Sequence, residues 1–117
     1  MTEILDQLPS DTLPASNLKQ LYFILWTTAE NFPSNKSFST IDLHRHENYM
    51  RNAYKEGRLI MNALFVNGNG IISLVESESE NEIRRFVNKN PEVMDKTIQA
   101  TIKMCTPVYW KNFDLEA

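Results

Sequence analysis

The sequence has few of the residues that cross-link a chain or give it one strong charge. It contains one cysteine, Cys105, so no disulfide can form within these residues, and we expect a reducing, cytoplasmic compartment. No run of Lys and Arg occurs and the formal net charge is −3, which argues against nucleic-acid binding. No stretch reaches the ~18 apolar residues of a membrane span, and the first residues lack the basic region of a secretory signal.

What is present is an ordinary globular composition. Of the 117 residues, 42% are hydrophobic and 23% are charged, so the chain is long enough to bury a core as one domain. Residues 1–18 contain Pro9 and Pro14 and form no regular pattern, which indicates an N-terminal extension. Whether that extension docks on a neighbouring surface or is a loose terminus is open. Residues 19–117 are predicted to form the single domain.

Hydrophobic periodicity predicts four strands and two main helices. The first helix begins at a Ser39 or Thr40 cap and ends before Gly57, and the second begins at a Ser77 or Ser79 cap. In the strand that starts at Arg58, strict alternation would place Leu59, Met61 and Ala63 on one face and Ile60, Asn62 and Leu64 on the other. The predicted strands are 20–28, 58–66, 71–76 and 97–104, and the predicted helices are 40–56 and 79–89, followed by a short turn at 92–96.

The order strand, helix, strand, strand, helix, strand predicts an α+β fold. It is the ferredoxin-like βαββαβ plan with an antiparallel four-stranded sheet. Two helices cover one face of such a sheet, yet several strands carry apolar residues on both faces. We therefore expect a homodimer that forms through the uncovered sheet face.

The first helix carries both histidines, and a helical wheel separates them. His46 falls close to the apolar stripe of Leu43, Met50, Ala53 and Tyr54, whereas His44 points outward. An inward histidine is open to two interpretations: a proton-transfer residue in a cleft, or a core-edge side chain satisfied by a backbone carbonyl. The two rings do not share a helix face, so no metal site is expected.

Other candidate residues have equally plain structural interpretations. Tyr22, Trp26 and Trp110 could line a pocket, or pack in a core or dimer interface. Cys105 has no histidine beside it in the sequence, so a small packed thiol is favoured over a nucleophile. Gly68 and Gly70 lie between two strands and match neither nucleotide-binding motif, and no cofactor is expected.

The arrangement of these motifs resembles the YciI-like (YCII-related) family. Tyr22-Phe23-Ile24 resembles that family's first strand, and His46 lies eleven residues before the Gly57 of a Gly-Arg-Leu motif. Asn90-Pro91 occupies the place of an Asp-Pro motif. The resemblance covers residues 20 to 110 and implies a dimeric ferredoxin-like α+β barrel. It also implies a small-molecule cleft beside His46, with Tyr22, Ile24, Trp26 and Ala63 near the ligand.

The resemblance implies a histidine–aspartate pair that transfers protons, in lyase or isomerase chemistry. Here Asn90 replaces the aspartate, and an amide orients an imidazole but does not stabilise its cation as a carboxylate does. Ala63 and Leu64 stand where the family has glycine and proline. Two functions therefore stay open: an enzyme that uses His46 and Asn90, or a non-catalytic dimeric module that binds a small ligand or assists another protein.

Overall fold

The structure, a computed structural model, describes residues 20–109, so the predictions for residues 1–18 and for Trp110 lie outside it. The described part contains four strands and three helices in the order βαββααβ. The strands are β1 (Gln20–Thr28), β2 (Leu59–Leu64), β3 (Ile71–Ser77) and β4 (Ile98–Cys105), and the helices are α1 (His44–Lys55), α2 (Glu80–Asn88) and α3 (Pro91–Met94).

The four strands form one antiparallel sheet in the order β2-β3-β1-β4. The two central strands, β1 and β3, are the first and third in the chain, and each is flanked by an edge strand. This is the strand order of the ferredoxin-like fold, so the predicted α+β class is confirmed.

One face of the sheet packs against the helices and forms the core. On β1 this face presents Tyr22, Ile24 and Trp26, which are 2% exposed or less. Their partners on β4, from Ile98 to Met104, share the same face, as the alternation of that strand predicted. The helices contribute most of the remaining buried members of the core: Met50, Ala53, Ile83, Phe86 and Val87.

The opposite face of the sheet, which we call the open face, is also apolar. Its β1 residues are Leu21, Phe23 and Leu25, and their partners on β3 include Leu74 and Ile72. The edge strand β2 adds Met61 and Ala63. Helices α1 and α2 belong to the core on the other side, so this face is the one through which we proposed pairing.

Helix α1 starts later than expected. Its first residue is His44, its N-cap is Leu43 with no side-chain cap, and the predicted caps Ser39 and Thr40 lie in the preceding turn. That prediction was wrong because the Ser/Thr pattern builds a local turn there instead. The end was predicted correctly, since the helix stops at a Glu56 cap before Gly57, whose φ is +85°.

Helix α2 begins as its sequence predicts, whereas β2 departs from simple alternation. The Ser79 hydroxyl accepts the Glu82 N–H at 3.1 Å, which is the predicted cap. In β2 a register shift between Leu59 and Met61 interrupts the ladder. Leu59 therefore lies on the helix side, and Met61 lies on the open face, so the prediction that they share a face was wrong.

Candidate functional site

His46 lies in the first turns of α1, on the side that faces the sheet. Its side chain is 1% exposed, between the buried Leu43 and Met50 of the same stripe. The inward position predicted by the helical wheel is therefore confirmed, and His44 is exposed as expected. Tyr54, which the same wheel placed in the stripe, is 63% exposed, so that part of the prediction was wrong.

Asn90 lies directly before Pro91 and caps α3. Its Oδ1 accepts the backbone N–H of Glu92 at 3.0 Å, and the residue is fully buried. Proline at the first helical position fits this geometry because it has no N–H to satisfy. The cap fixes the asparagine amide in one orientation, with its nitrogen turned away from the helix.

That nitrogen meets the histidine. Asn90 Nδ2 lies 2.7 Å from His46 Nδ1, so residues 44 positions apart in the sequence are in contact. Burial lowers the pKa of His46 below its usual value, and the Glu92 carboxylate, which acts in the opposite direction, does not offset it. The ring is accordingly neutral at physiological pH.

The other ring nitrogen of His46 has no hydrogen-bond partner within the part of the chain that the structure describes. Among residues 20–109, His46 Nε2 is the buried side-chain nitrogen or oxygen that lacks a hydrogen bond. A buried polar atom left without a partner costs about 1–3 kcal/mol, so such atoms commonly mark a site. Because Asn90 occupies Nδ1, Nε2 is the atom left for a ligand.

On the sheet side, His46 contacts the ring of Trp26, and Trp26 begins a chain of hydrogen bonds. Trp26 meets the His46 ring edge-on, with ring centroids 4.9 Å apart. The indole N–H of Trp26 donates to Ser73 Oγ at 2.8 Å, and the Ser73 hydroxyl donates to Asn62 Oδ1. This chain of hydrogen bonds therefore runs from Trp26 through Ser73 to Asn62, which lies on the edge strand β2.

His46 lies at the wall of an open cleft of about 510 Å³. The cleft runs between α1 and the edge of the sheet at β2, and its size suits a small organic molecule. Its polar lining is His46, Glu47, Arg51, Tyr54 and Asn62. Its apolar lining is Phe38, Met50, Leu59, Leu64 and Ile71.

Charged residues behind the cleft join α1 to α3. Arg45 pairs with the buried carboxylate of Glu92 at 3.0 Å and also with Asp95. Asp95 is thereby engaged by Arg45, on the face of α1 next to α3. Of the acids on this side of the molecule, Glu47 lines the cleft, whereas Asp95 is absent from its lining.

The structure brings some of the predicted site residues together and separates others. His46 and Asn90 are in contact, and Trp26 touches His46. Tyr22 and Ile24 lie in the core and are absent from the cleft lining, and Ala63 is paired with Ile72 on the open face. The ligand-binding role of these four strand residues stays a prediction, and the cleft itself uses other side chains.

Sequence reasoning missed Asn62 and Arg51 as lining residues. Asn62 is the one polar residue in the β2 segment LIMNAL, and a polar residue in an apolar strand is a signal that was available. Arg51 lies one position after Met50, at the edge of the buried stripe of α1. Its proximity to β2 depends on how the helix docks, which no local pattern specifies.

The remaining candidates have little chemistry around them. Burial raises the pKa of the Cys105 thiol, which disfavours the reactive thiolate. Within residues 20–109, no group of three or more His, Cys, Asp and Glu side chains is placed to hold a metal ion. In the same range, no helix is both long and apolar enough to cross a membrane.

The fold and the site first define a class, a ferredoxin-like α+β protein with a histidine-walled cleft. Among solved structures, the chain is similar to that of MtbAldR (Rv2779c), with a TM-score of 0.56 and 11% identity. The match covers 97% of this chain and 70% of that one. At this identity the likeness shows the fold alone. No family model and no curated protein matches the chain.

Proposed function

We propose that this chain is a YciI-like protein that binds a small organic molecule in the cleft beside His46. The observation that carries the proposal is the buried Nε2 of His46, which has no hydrogen-bond partner in the described part of the chain, on a residue that lines a cleft of about 510 Å³. Polar atoms of this kind orient a ligand inside a mostly apolar pocket.

Family membership is supported by how the motifs meet. His46 lies near the start of α1, and the Gly-Arg-Leu motif begins at Gly57, directly after the C-cap of the same helix. The Asn90-Pro91 motif lies far away in sequence, yet Asn90 contacts His46 at 2.7 Å. A family with a histidine–aspartate pair at these two places would have the same contact, with a carboxylate in place of the amide.

A second candidate function is acid–base catalysis of the lyase or isomerase type at His46. Its support is that same contact, since a paired histidine in a cleft is a common proton-transfer device. To act as a base, Nε2 would have to be unprotonated, with the proton on Nδ1. That arrangement would place the Nδ1–H donor against the Asn90 amide nitrogen, which is itself a donor and cannot accept. The geometry therefore favours ligand binding over catalysis.

We also propose that two copies pair through the open face. On this face Leu21 and Leu74 are buried, Phe23, Leu25 and Ile72 are half-buried, and Met61 is 37% exposed. The partly exposed side chains form an apolar area that water does not favour. Glu76 and Lys103 give the face one charge of each sign, so two copies related by a two-fold axis meet without net repulsion.

The test of ligand binding is a thermal-shift screen of the wild type and His46→Ala against small aromatic acids, lactones and phenols. A ligand that binds the folded state raises the melting midpoint by mass action. We expect hits for the wild type that weaken in His46→Ala. His44→Ala is the matched control, because it removes an exposed histidine from the same helix. Hits that are equal in all three proteins would contradict the proposal, as would a screen with no hits.

A further inference from the structure

Two hydrogen-bond chains end at the cleft, and each starts from a group that can only donate. One runs from the backbone of α3 through Asn90 to His46, and the other runs from Trp26 through Ser73 to Asn62. The direction of each chain fixes which atom it presents at its end.

The first chain starts at the backbone N–H of Glu92. Because that N–H donates to Asn90 Oδ1, the atom of Asn90 that faces His46 is the amide nitrogen Nδ2, which has no lone pair to offer. His46 Nδ1 must therefore accept. A neutral imidazole carries one proton, which is then on Nε2, the nitrogen with no partner among the described residues.

The second chain starts at the indole N–H of Trp26, another obligate donor. Ser73 Oγ accepts this N–H at 2.8 Å, and its own single proton goes to Asn62 Oδ1. With that oxygen occupied, the part of Asn62 left for the cleft is its NH₂ group. Trp26 packs on the His46 ring, so the two chains run side by side through the core.

Both chains consequently end in N–H donors that belong to residues lining one cleft, His46 and Asn62. Arg51, a further donor, lies on the same wall, where Glu47 precedes it by four residues. The Arg51 guanidinium donates to Asn48 Oδ1 at 3.4 Å, and Glu47 adds a charge of opposite sign to the lining. The rest of the lining is mainly apolar.

We infer that the ligand of this cleft presents an oxygen acceptor, a carboxylate or a carbonyl on an apolar body, to His46 Nε2–H and the Asn62 amide. This inference rests on the proposed ligand binding and names its chemical class. It also gives the Asn90 substitution a consequence: an amide at this place makes the histidine a hydrogen-bond donor, where an aspartate would make Nε2 an acceptor.

The first part of the test needs no ligand. A long-range ¹H–¹⁵N correlation spectrum of the wild type assigns the protonated nitrogen of the His46 ring. We expect the proton on Nε2 and a bare Nδ1. A proton on Nδ1 would overturn the inference, whatever the protein binds.

The second part uses three probes with one apolar body: phenylacetate, phenylacetamide and phenethylamine. We expect the acid and the amide to bind at least about tenfold more tightly than the amine, as two net hydrogen bonds would give. Tighter binding of phenylacetate than of phenylacetamide indicates that the ligand carries a carboxylate. Tighter binding of phenylacetamide indicates a neutral carbonyl. An amine that binds equally well would overturn the ligand class and leave ligand binding intact. No binding by any probe, with no hits in the screen, would overturn both.

The variant Asn62→Asp replaces the donating amide by a carboxylate of the same shape. It should weaken phenylacetate binding at least about tenfold, because an acceptor then faces an acceptor. Asn88→Asp makes the same charge change at the exposed end of α2, away from the cleft lining, and should leave affinity unchanged. Equal affinities in Asn62→Asp and the wild type would remove Asn62 from the site.

Discussion

At the scale of single residues, the buried amide of Asn90 is hydrogen-bonded at both ends. Its oxygen caps α3 and its nitrogen holds the ring of His46. A residue with these two partners links the start of a helix to the wall of the cleft. Its removal should therefore affect stability through two separate losses.

We predict that Asn90→Ala lowers the free energy of unfolding by about 2–4 kcal/mol. Loss of the cap costs about 1 kcal/mol, and the unpartnered Nδ1 of His46 costs a further 1–3 kcal/mol. The matched control is Ser79→Ala, which removes the exposed cap of α2 alone and should cost about 1 kcal/mol. Urea unfolding measures both, and equal losses in the two variants would contradict the double role.

The buried histidine also predicts how stability depends on pH. Its pKa is lowered by burial, so the unfolded chain binds a proton before the folded chain does. Stability is therefore full above the unfolded pKa of about 6.5 and falls as the pH drops below it, with a slope of up to about 1.4 kcal/mol per pH unit until the folded pKa is reached.

The measurement is urea unfolding of the wild type and His46→Gln between neutral and mildly acidic pH. Glutamine keeps a polar side chain without titrating in this range, and His44 is present in both proteins. The wild type should lose more stability on acidification than His46→Gln. Parallel pH profiles would show that His46 protonates as easily in the folded protein as in the unfolded chain.

At the scale of elements, the ion pair between Arg45 and Glu92 joins α1 to α3. The Glu92 carboxylate is buried, and its partner is the half-exposed guanidinium of Arg45. The Arg84–Glu80 pair on α2 is exposed on both sides and joins residues of one helix only. Exposed pairs contribute little, whereas a buried carboxylate without its partner is costly.

We predict that Arg45→Met lowers the melting temperature more than Arg84→Met does. Adding Glu92→Gln to Arg45→Met should recover part of the loss, because the unpaired buried charge is removed. Thermal unfolding of the four proteins, wild type included, measures this. An Arg45→Met variant as stable as Arg84→Met would show that the pair does not hold α3 against α1.

The elements also show what the sequence can and cannot predict. The strand at Gln20–Thr28, the Ser79 cap and the helix end before Gly57 follow from local patterns, and the structure has all three. The start of α1 and the shift between Leu59 and Met61 do not, because competing local hydrogen bonds and sheet pairing decide them.

The site was predictable to a smaller degree. An inward His46 follows from the helical wheel, and a partner for it at position 90 followed from the family resemblance. The cleft itself forms where α1 passes the edge strand β2, so Asn62 and Arg51 come together only through tertiary packing. No spacing in the sequence places residues of a helix and an edge strand around one cavity.

At the scale of the whole molecule, the apolar open face predicts association. We expect light scattering of the 117-residue chain to give a dimer at micromolar concentration. Leu25→Glu should shift it toward monomer, because a charge on this face opposes its burial. Val66→Glu is the control, since Val66 is fully exposed in the hairpin loop.

A monomeric wild type would contradict pairing through this face. Deletion of residues 1–18 tests whether the N-terminal extension takes part in this pairing. If the shortened chain is still a dimer, the extension is not needed for pairing, whereas a monomeric shortened chain would show that residues 1–18 contribute to the dimer.

The most direct measurement is the NMR titration of the His46 ring in the wild type and in Asn90→Asp. For the wild type we predict a pKa below about 6.5, with the proton of the neutral ring on Nε2. In the variant we predict a raised pKa of His46 and a proton on Nδ1, because the carboxylate accepts where the amide donated. The same tautomer and the same pKa in both proteins would contradict the claim that Asn90 sets the chemistry of this cleft.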